Sequence, residues 1–596
     1  MQRASPTPQP PSFPLLPHIC TSLLLPPPSS PSSNENLVRL CASLRTQYKT
    51  LAPDPPRKQK RVPAYAALSP RDLDGGGSLG DRLVPASPNR RGQRRACRFP
   101  RAFGSGAKML SGSPQRRFPP AGSMLRRAGC FFLLSLAAQV QSQESAAERL
   151  SPCFGTKSRY ETSNPRLLQD PLSLGPPQPG FPLQPASCTP LQIVTVIRHG
   201  TRFPTGGQIK KLAQLHGLVV RRNGTCPASE ALAHWDMWYR QSMDGHLAER
   251  GRYDMLMLAR RLAARFPGPL APQRRFVFTS SHKPRCVNSS EAFRDGLYQA
   301  LYGQEQLTSG NNPAMLGEIK INDTLMRFFD LCEKFVRDVD NNNDAMHEVN
   351  DFKKSPEMKK VIERIADKLC LSVDQLNADL VQVGFFACSF ELAIKNISSP
   401  WCSIFSETDA LVLEYLNDLK QYWKRGYGYD INSRASCVLF QDIFRNLDQA
   451  VKESKKTVFK ITVDEDLSMP ISSPAVLQFG HAETLLPVLS VMGYFKDSEP
   501  LKANNYHKQM NRKFRSGRIV PYAANLVFVL YHCDQAPSPN EEYKIQILLN
   551  EKLLEFPWSG KTVISLDNLK KHYKDILQKC HFAEVCDVSQ NTTAFF

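Results

Sequence analysis

No two cysteines in this chain stand as Cys-x-x-Cys, and no His-Glu-x-x-His occurs. Zinc ribbons, thioredoxin-like redox sites and zincin-type metalloproteases are thereby excluded. Apolar runs of membrane-spanning length are lacking too: the strongest, Phe131-Phe-Leu-Leu-Ser-Leu-Ala-Ala138, is too short to cross a bilayer. Acidic residues are scarce at one end only. The first 123 residues carry 19 Lys+Arg against 5 Asp+Glu and hold 21 of the 47 prolines, whereas the rest of the chain has 57 against 50.

Runs such as Pro26-Pro-Pro28 and Arg90-Arg-Gly-Gln-Arg-Arg95 have no apolar periodicity and bury too little surface to offset chain entropy. Residues 1–123 are therefore expected to be a disordered leader outside the mature protein. A basic arm also suits nucleic acid or anionic lipid, but that binder's reading rests on the leader alone. Met124-Leu-Arg-Arg opens a cationic start and a short apolar core that gives way to polar Gln139 to Ser145. This layout predicts a secretory signal peptide over 124–143, with Met124 as the initiator.

Secretory entry agrees with five Asn-x-Ser/Thr acceptors, at Asn223, Asn288, Asn322, Asn396 and Asn591. It agrees also with twelve cysteines beyond the signal, an even number compatible with disulfides whose connectivity is not readable.

From Leu191 onward, strands alternate with helical patterns, which predicts an α/β fold with a doubly wound, mostly parallel sheet. Three of the strands end in charge. Leu191 to Ile197 runs into Arg198-His-Gly-Thr-Arg-Phe-Pro204 and a helix from Gln208 to Val219. Arg275 to Ser281 runs into His282-Lys-Pro-Arg285 and a helix from about Ser289. Ala475 to Phe479 ends in Gly480-His-Ala-Glu483 before a helix from Thr484 to Met492. Ligands of such sheets bind beyond the carboxyl ends of the strands, so all three ends are expected on one edge.

Ala523 to Tyr531 reads as a further buried strand, and Tyr543 to Leu549 as an edge strand. Residues 315–450 are mainly helical in period. A start at Ser355-Pro356-Glu357 places Met358, Ile362, Ile365 and Leu369 on one face, Ser372 and Gln375 form a capping box, and another helix runs from Asp409 to about Trp423. This segment is expected to be an inserted helical cap over a sheet domain made of 144–314 and 451–596.

A histidine between two arginines at the end of a buried strand is costly unless an anion compensates the charge, and guanidinium forks match phosphate oxygens. Displacing a phosphate ester requires a nucleophile, charge neutralisation and a proton for the leaving alcohol. Neutral His199 supplies the first and forms a phosphohistidine. Arg198, Arg202 and Arg285, with His481 as a further donor, supply the second. Glu483 supplies the third, and neither metal nor other cofactor is required. Taken alone, Arg285 also reads as a solvated loop arginine, and His481-Ala-Glu483 as a helix cap. A His-x-Glu of a zinc deaminase would need a following Pro-Cys-x-x-Cys, which is absent.

The run Arg198 to Pro204 resembles the RHGxRxP signature of the histidine acid phosphatases. His481-Ala482-Glu483, in place of the commoner His-Asp, resembles their multiple inositol polyphosphate phosphatase branch, as do Phe154 to Tyr160, Tyr415 to Tyr429 and Val520 to Leu526. The resemblance spans roughly 150–586. It implies the same phosphate-binding set, Glu483 as proton donor, and substrates such as phytate, lower inositol polyphosphates and 2,3-bisphosphoglycerate. The rival within the fold is an acid phosphatase acting on small phosphomonoesters or lysophosphatidate.

Polyanionic substrates need further positive charge. Lys210, Lys211, Arg221, Arg222, Lys283, Lys420, Lys424 and Arg425 are the candidates flanking the motifs. Gly206 and Gly207 stand where relatives place a lysine. The final Asn591-Thr-Thr-Ala-Phe-Phe596 lacks a KDEL-like tail, which leaves the lumen of the endoplasmic reticulum and secretion both open.

Overall fold

The computed structural model describes residues 144–183, 187–222, 226–303, 312–461 and 471–589, all within the unit Pro119–Phe596. The expected leader, the signal segment, the acceptors Asn223 and Asn591 and the tail lie outside the described residues. Among those described, no helix is long and apolar enough to cross a membrane.

One sheet organises the chain. Its strands are β1 (Cys188–Arg198), β2 (Val277–Ser280), β3 (Ile319–Ile321), β4 (Ala475–Gly480), β5 (Asn525–Cys533), β6 (Tyr543–Leu549), β7 (Lys552–Leu553) and β8 (Ile564–Ser565), in the order β3-β2-β4-β1-β5-β6-β7, with β8 also on β6. The half from β3 to β1 is parallel, while β5 and all strands beyond it pair antiparallel. The antiparallel half departs from the mostly parallel reading, and Tyr543–Leu549 is no edge, since it pairs with β5 on one side and with β7 and β8 on the other.

Both faces of the sheet are covered, which is why β1 reads as an unbroken apolar run. Val194 and Val196 enter one apolar cluster, and Ile193 and Ile197 the other. β5 divides in the same way, with Leu526, Phe528 and Leu530 on the first side and Val527 and Val529 on the second. The second cluster is closed by the helices Glu249–Arg265 and Pro284–Tyr302, through Leu258, Leu262, Phe293 and Leu297.

The first cluster runs without interruption into the helical segment, through Ile365 of Pro356–Leu369, Phe385 of Ala378–Lys395 and Leu416 of Glu407–Arg425. Ser355 caps the first of these by accepting the Met358 N–H, and Ser372 with Gln375 forms its capping box around a 3₁₀ turn. Met358, Ile365 and Leu369 are fully buried and Ile362 partly so, as the spacing predicts.

Among the described residues, five disulfides complete the framework: Cys188–Cys533 across the β1–β5 pair, Cys226–Cys370, Cys332–Cys586, Cys388–Cys402 and Cys437–Cys580. Cys153 and Cys286 pair with no other described cysteine, and Cys286 is buried.

Candidate active site

Register brings the charged strand ends together. Arg198 of β1 lies opposite Gly480 of β4, and Ser280 of β2 opposite Phe479 of β4, so residues 199, 281 and 481 leave the sheet side by side. The His199 N–H donates to the Gly480 carbonyl (3.1 Å) and the Ser281 N–H to that of Phe479 (3.1 Å). All three of the following helices start earlier than the sequence suggests, the first of them at Gly206 rather than Gln208. Pro284 suits the first helical position, so the second helix is Pro284–Tyr302 and Arg285 stands in its first turn. The third is Ala482–Val491, with Glu483 in its first turn. Both helices thus bring partial positive charge toward the same place.

His199 is buried, and its Nδ1 lies 2.9 Å from the Gly200 carbonyl. A carbonyl only accepts, so Nδ1 carries the proton and Nε2 keeps its lone pair. Burial holds the imidazole well below its ordinary pKa, reinforced by Arg285 and Arg198, so the ring is neutral. His481 is equally buried, and its ring centroid is 5.6 Å from that of His199. Arg285 Nη2 approaches its Nδ1 (3.3 Å), while Arg327 Nη1 (3.2 Å) and Ser281 Oγ (3.0 Å) approach its Nε2. Its pKa too is depressed, first by burial and then by Arg285.

Arg198 is nearly inaccessible, donates to the Val520 carbonyl (2.5 Å) and lies 4.7 Å from the Tyr522 ring centroid. Its pKa is lowered to about 10, by burial above all. Arg202 is part-buried and donates to the Phe203 carbonyl (2.7 Å). Burial alone would raise the Glu483 carboxyl, but Arg425, His481, its own backbone N–H and Arg198 outweigh it and hold the group below the usual carboxylate range.

Three further basic residues share this field. Lys157 is half-buried and bonds Thr156 Oγ1 (2.7 Å); burial, Arg202 and Arg198 depress its pKa well below normal. Arg327 reaches His481 from the helical segment. Arg425 packs against the Phe329 and Phe335 rings (4.9 and 5.0 Å) and is the foremost neutralising partner of Glu483. Arg425 is among the sequence candidates; Arg327 is not, and Lys157 and Tyr522 lie in the runs Phe154 to Tyr160 and Val520 to Leu526, which resemble the family without marking either as a site residue.

The remaining candidates separate. Lys420 lines a cleft of about 200 Å³ with Lys353, Asn350 and Gln382, and burial next to Lys424 lowers its pKa. Lys211 is ion-paired with Asp379 (3.0 Å) and Lys424 with Asp340 (2.5 Å). Lys210 is exposed, and half-buried Lys283 caps the helix that bears Arg285. Arg221 and Arg222 stand at the distal end of the helix Gly206–Arg221, roughly 24 Å from its start at 1.5 Å per residue, and so fall outside the site. Gly206 and Gly207 open that helix, and a side chain at 207 would meet open space.

The loop after β1 is pressed against the helix Glu249–Arg265 where two glycines meet. A Cβ on Gly251 would stand 2.1 Å from the Thr201 carbonyl, and one on Gly200 would stand 2.2 Å from the Gly251 carbonyl. Gly251→Ala is expected to destabilise by about 1–3 kcal/mol through overpacking, seen as a fall in Tm, because the obstructing atom is backbone and cannot swing away.

Residues 191–550 match the family model of the histidine phosphatase superfamily (branch 2). The chain is 58% identical over 465 residues to multiple inositol polyphosphate phosphatase 1 of Gallus gallus, covering 78% of this chain and 97% of that protein. It is 49% identical over 504 residues to the protein of that name from Homo sapiens, covering 79% and 99%. Among solved structures, Bifidobacterium longum multiple inositol polyphosphate phosphatase in complex with inositol hexasulfate has the same fold, with a TM-score of 0.53, 14% identity, and 72% of this chain and 98% of that chain covered.

Proposed function

Because the chain belongs to branch 2 of the histidine phosphatase superfamily, and within it to the multiple inositol polyphosphate phosphatases, we propose that it is a phosphohydrolase of phytate and lower inositol phosphates, with 2,3-bisphosphoglycerate as a further, non-inositol substrate. The observation that carries the substrate class is the charge imbalance around His199. Arg198, Arg202, Arg285, Arg327 and Arg425 all act on the groups of this site, Lys157 being among the groups they act on, with Glu483 as the carboxylate among them. So many converging cations are mutually repulsive until a polyanion fills the cup.

In the proposed mechanism the Nε2 lone pair of His199 attacks phosphorus, and the arginines neutralise the equatorial oxygens. The P–O bond to the ring breaks as Glu483, protonated in the complex, gives its proton to the leaving oxygen. Glu483, now a carboxylate, takes a proton from water, whose oxygen attacks phosphorus. This returns neutral His199 and inorganic phosphate. Lys420 and its cleft are suited to a second ring phosphate. The helical segment, which carries Arg327, Lys420 and Arg425, is in this reading a cap that supplies substrate-binding charge.

We further propose passage through the secretory pathway, with 1–123 a leader, 124–143 a signal peptide, and secretion or lumenal residence as its end. The five disulfides support an oxidising compartment. Asn396 is exposed, and Asn322 uses only its Oδ1, toward the Leu325 N–H, which frees the amide nitrogen for a glycan. Asn288 is half-buried within a helix and is the poorest acceptor of the three.

The test compares phosphate release from phytate and from lysophosphatidate, each with and without a chelator. Phytate is expected to be hydrolysed at the same rate in both conditions. Indifference to phytate would reject the substrate class, and loss of activity on chelation would reject the metal-independent scheme.

A further inference from the structure

A buried carboxylate that the proposed mechanism does not use sits directly behind the nucleophile loop. Asp254, on the helix Glu249–Arg265, has a side chain 4% exposed. One oxygen, Oδ2, accepts both the Thr201 N–H (3.0 Å) and the Thr201 hydroxyl (2.6 Å). The other, Oδ1, accepts from Arg250 Nε (2.8 Å). Arg250 in turn reaches Glu161, on the short helix Tyr160–Ser163, through Nη2 of its guanidinium.

A carboxylate this close to an anion-binding cup raises the energy of any bound phosphate unless its charge is spent elsewhere. Here it is spent on backbone. Thr201 lies two residues after His199, and the intervening Gly200 donates its N–H to Ser289 Oγ (3.1 Å), which itself bonds the Arg285 carbonyl (2.7 Å). The loop is thus fixed at successive residues, at Gly200 from the helix that bears Arg285 and at Thr201 from Asp254. The Gly200 carbonyl that orients the His199 ring belongs to the peptide group whose N–H, that of Thr201, Asp254 receives. A peptide group is planar, so fixing the N–H fixes the carbonyl.

We propose that Asp254 is a positioning residue that sets the direction of the His199 lone pair through the Gly200–Thr201 peptide, and that Arg250 holds Asp254 to this task. The proposal rests on His199 being the nucleophile. In Asp254→Asn, one amide oxygen can still accept from Thr201, but the amide nitrogen is a donor facing the Arg250 Nε donor, so one of the two contacts is lost in either orientation.

The experiment measures single-turnover formation of acid-labile phosphoprotein, together with kcat and KM for phytate, in the full chain. Asp254→Asn and Thr201→Val are each expected to slow phosphoprotein formation by about 30-fold with KM within about threefold, since loss of alignment acts on the chemical step rather than on binding. Valine leaves the backbone N–H to Asp254 and removes only the 2.6 Å hydroxyl contact, so Thr201→Ser, which restores that hydroxyl, is expected to stay within about twofold of wild type. A lowered Tm with an unchanged rate of phosphoprotein formation in Asp254→Asn would reduce Asp254 to a fold-stabilising residue and overturn the proposal, as would a loss in KM alone. Failure of the underlying reading looks different: acid-labile phosphoprotein would then form in His199→Ala as well.

Discussion

His199→Ala is expected to lower turnover of phytate by about 10⁴-fold or more and to abolish the acid-labile phosphoprotein. The size follows from what the ring provides. With Nδ1 bonded to the Gly200 carbonyl, Nε2 is the free lone pair, held in a cup where burial, Arg285 and Arg198 disfavour the imidazolium. Alanine leaves water as the only nucleophile, retaining the clamp but not the covalent step. The pH dependence follows with its sign. A histidine pKa depressed well below its ordinary value keeps the neutral, nucleophilic form populated as pH falls through the usual histidine range. Wild-type phosphoenzyme formation should therefore persist below pH 6.5, where an unperturbed imidazole would be mostly protonated. Rapid-quench labelling across pH 4–7 in both proteins checks this. Turnover in His199→Ala within about tenfold of wild type would overturn the assignment.

What could be read from the sequence is set by how local each signal is. β1, β2 and β4 are contiguous apolar runs that end in charge, so Arg198, His199, Arg285, His481 and Glu483 could be named before their proximity was seen. Helix starts escape the apolar period where the first turn is charged, at Pro284 with Arg285 and at Ala482 with Glu483, and where it opens on glycine, at Gly206. The strand predicted from Ala523 begins at Asn525 because Ala523 has a positive φ of 58° and turns its N–H to the His199 carbonyl. Arg327 and Asp254 carry no local mark, and Lys157 lies in the run Phe154 to Tyr160, whose resemblance to the family singles out none of its residues. Arg327 belongs to a stretch of short helices, and Lys157 to a 3₁₀ turn more than 40 positions before His199, so only tertiary packing gives either one meaning. The pairing of ten cysteines was closed to sequence for the same reason.

Glu483→Gln is expected to lower kcat by about 10³-fold with little change in KM, because glutamine preserves the shape but has no proton of suitable acidity to give. The unliganded site poses a difficulty for a proton donor: Arg425 above all, and Arg198 with it, hold Glu483 below the usual carboxylate range. The same cations supply the resolution. A polyanionic substrate placed among Arg198, Arg285, Arg327 and Arg425 cancels the field that depresses Glu483, while burial, which favours the neutral acid, remains and is strengthened as water leaves. The carboxyl pKa is therefore higher in the complex than in the free enzyme, and binding draws in a proton. By linkage, affinity rises as pH falls through the pKa of the complex, and levels off only below that of the free enzyme. Inositol hexasulfate, whose charge is fixed across this range, isolates the effect. Calorimetric titrations in buffers of different ionisation enthalpy should show proton uptake by wild type at pH 5 and much less by Glu483→Gln. Equal uptake by the two proteins would move the titrating group elsewhere, with Lys157 the next to test because its depressed pKa would rise in the same field.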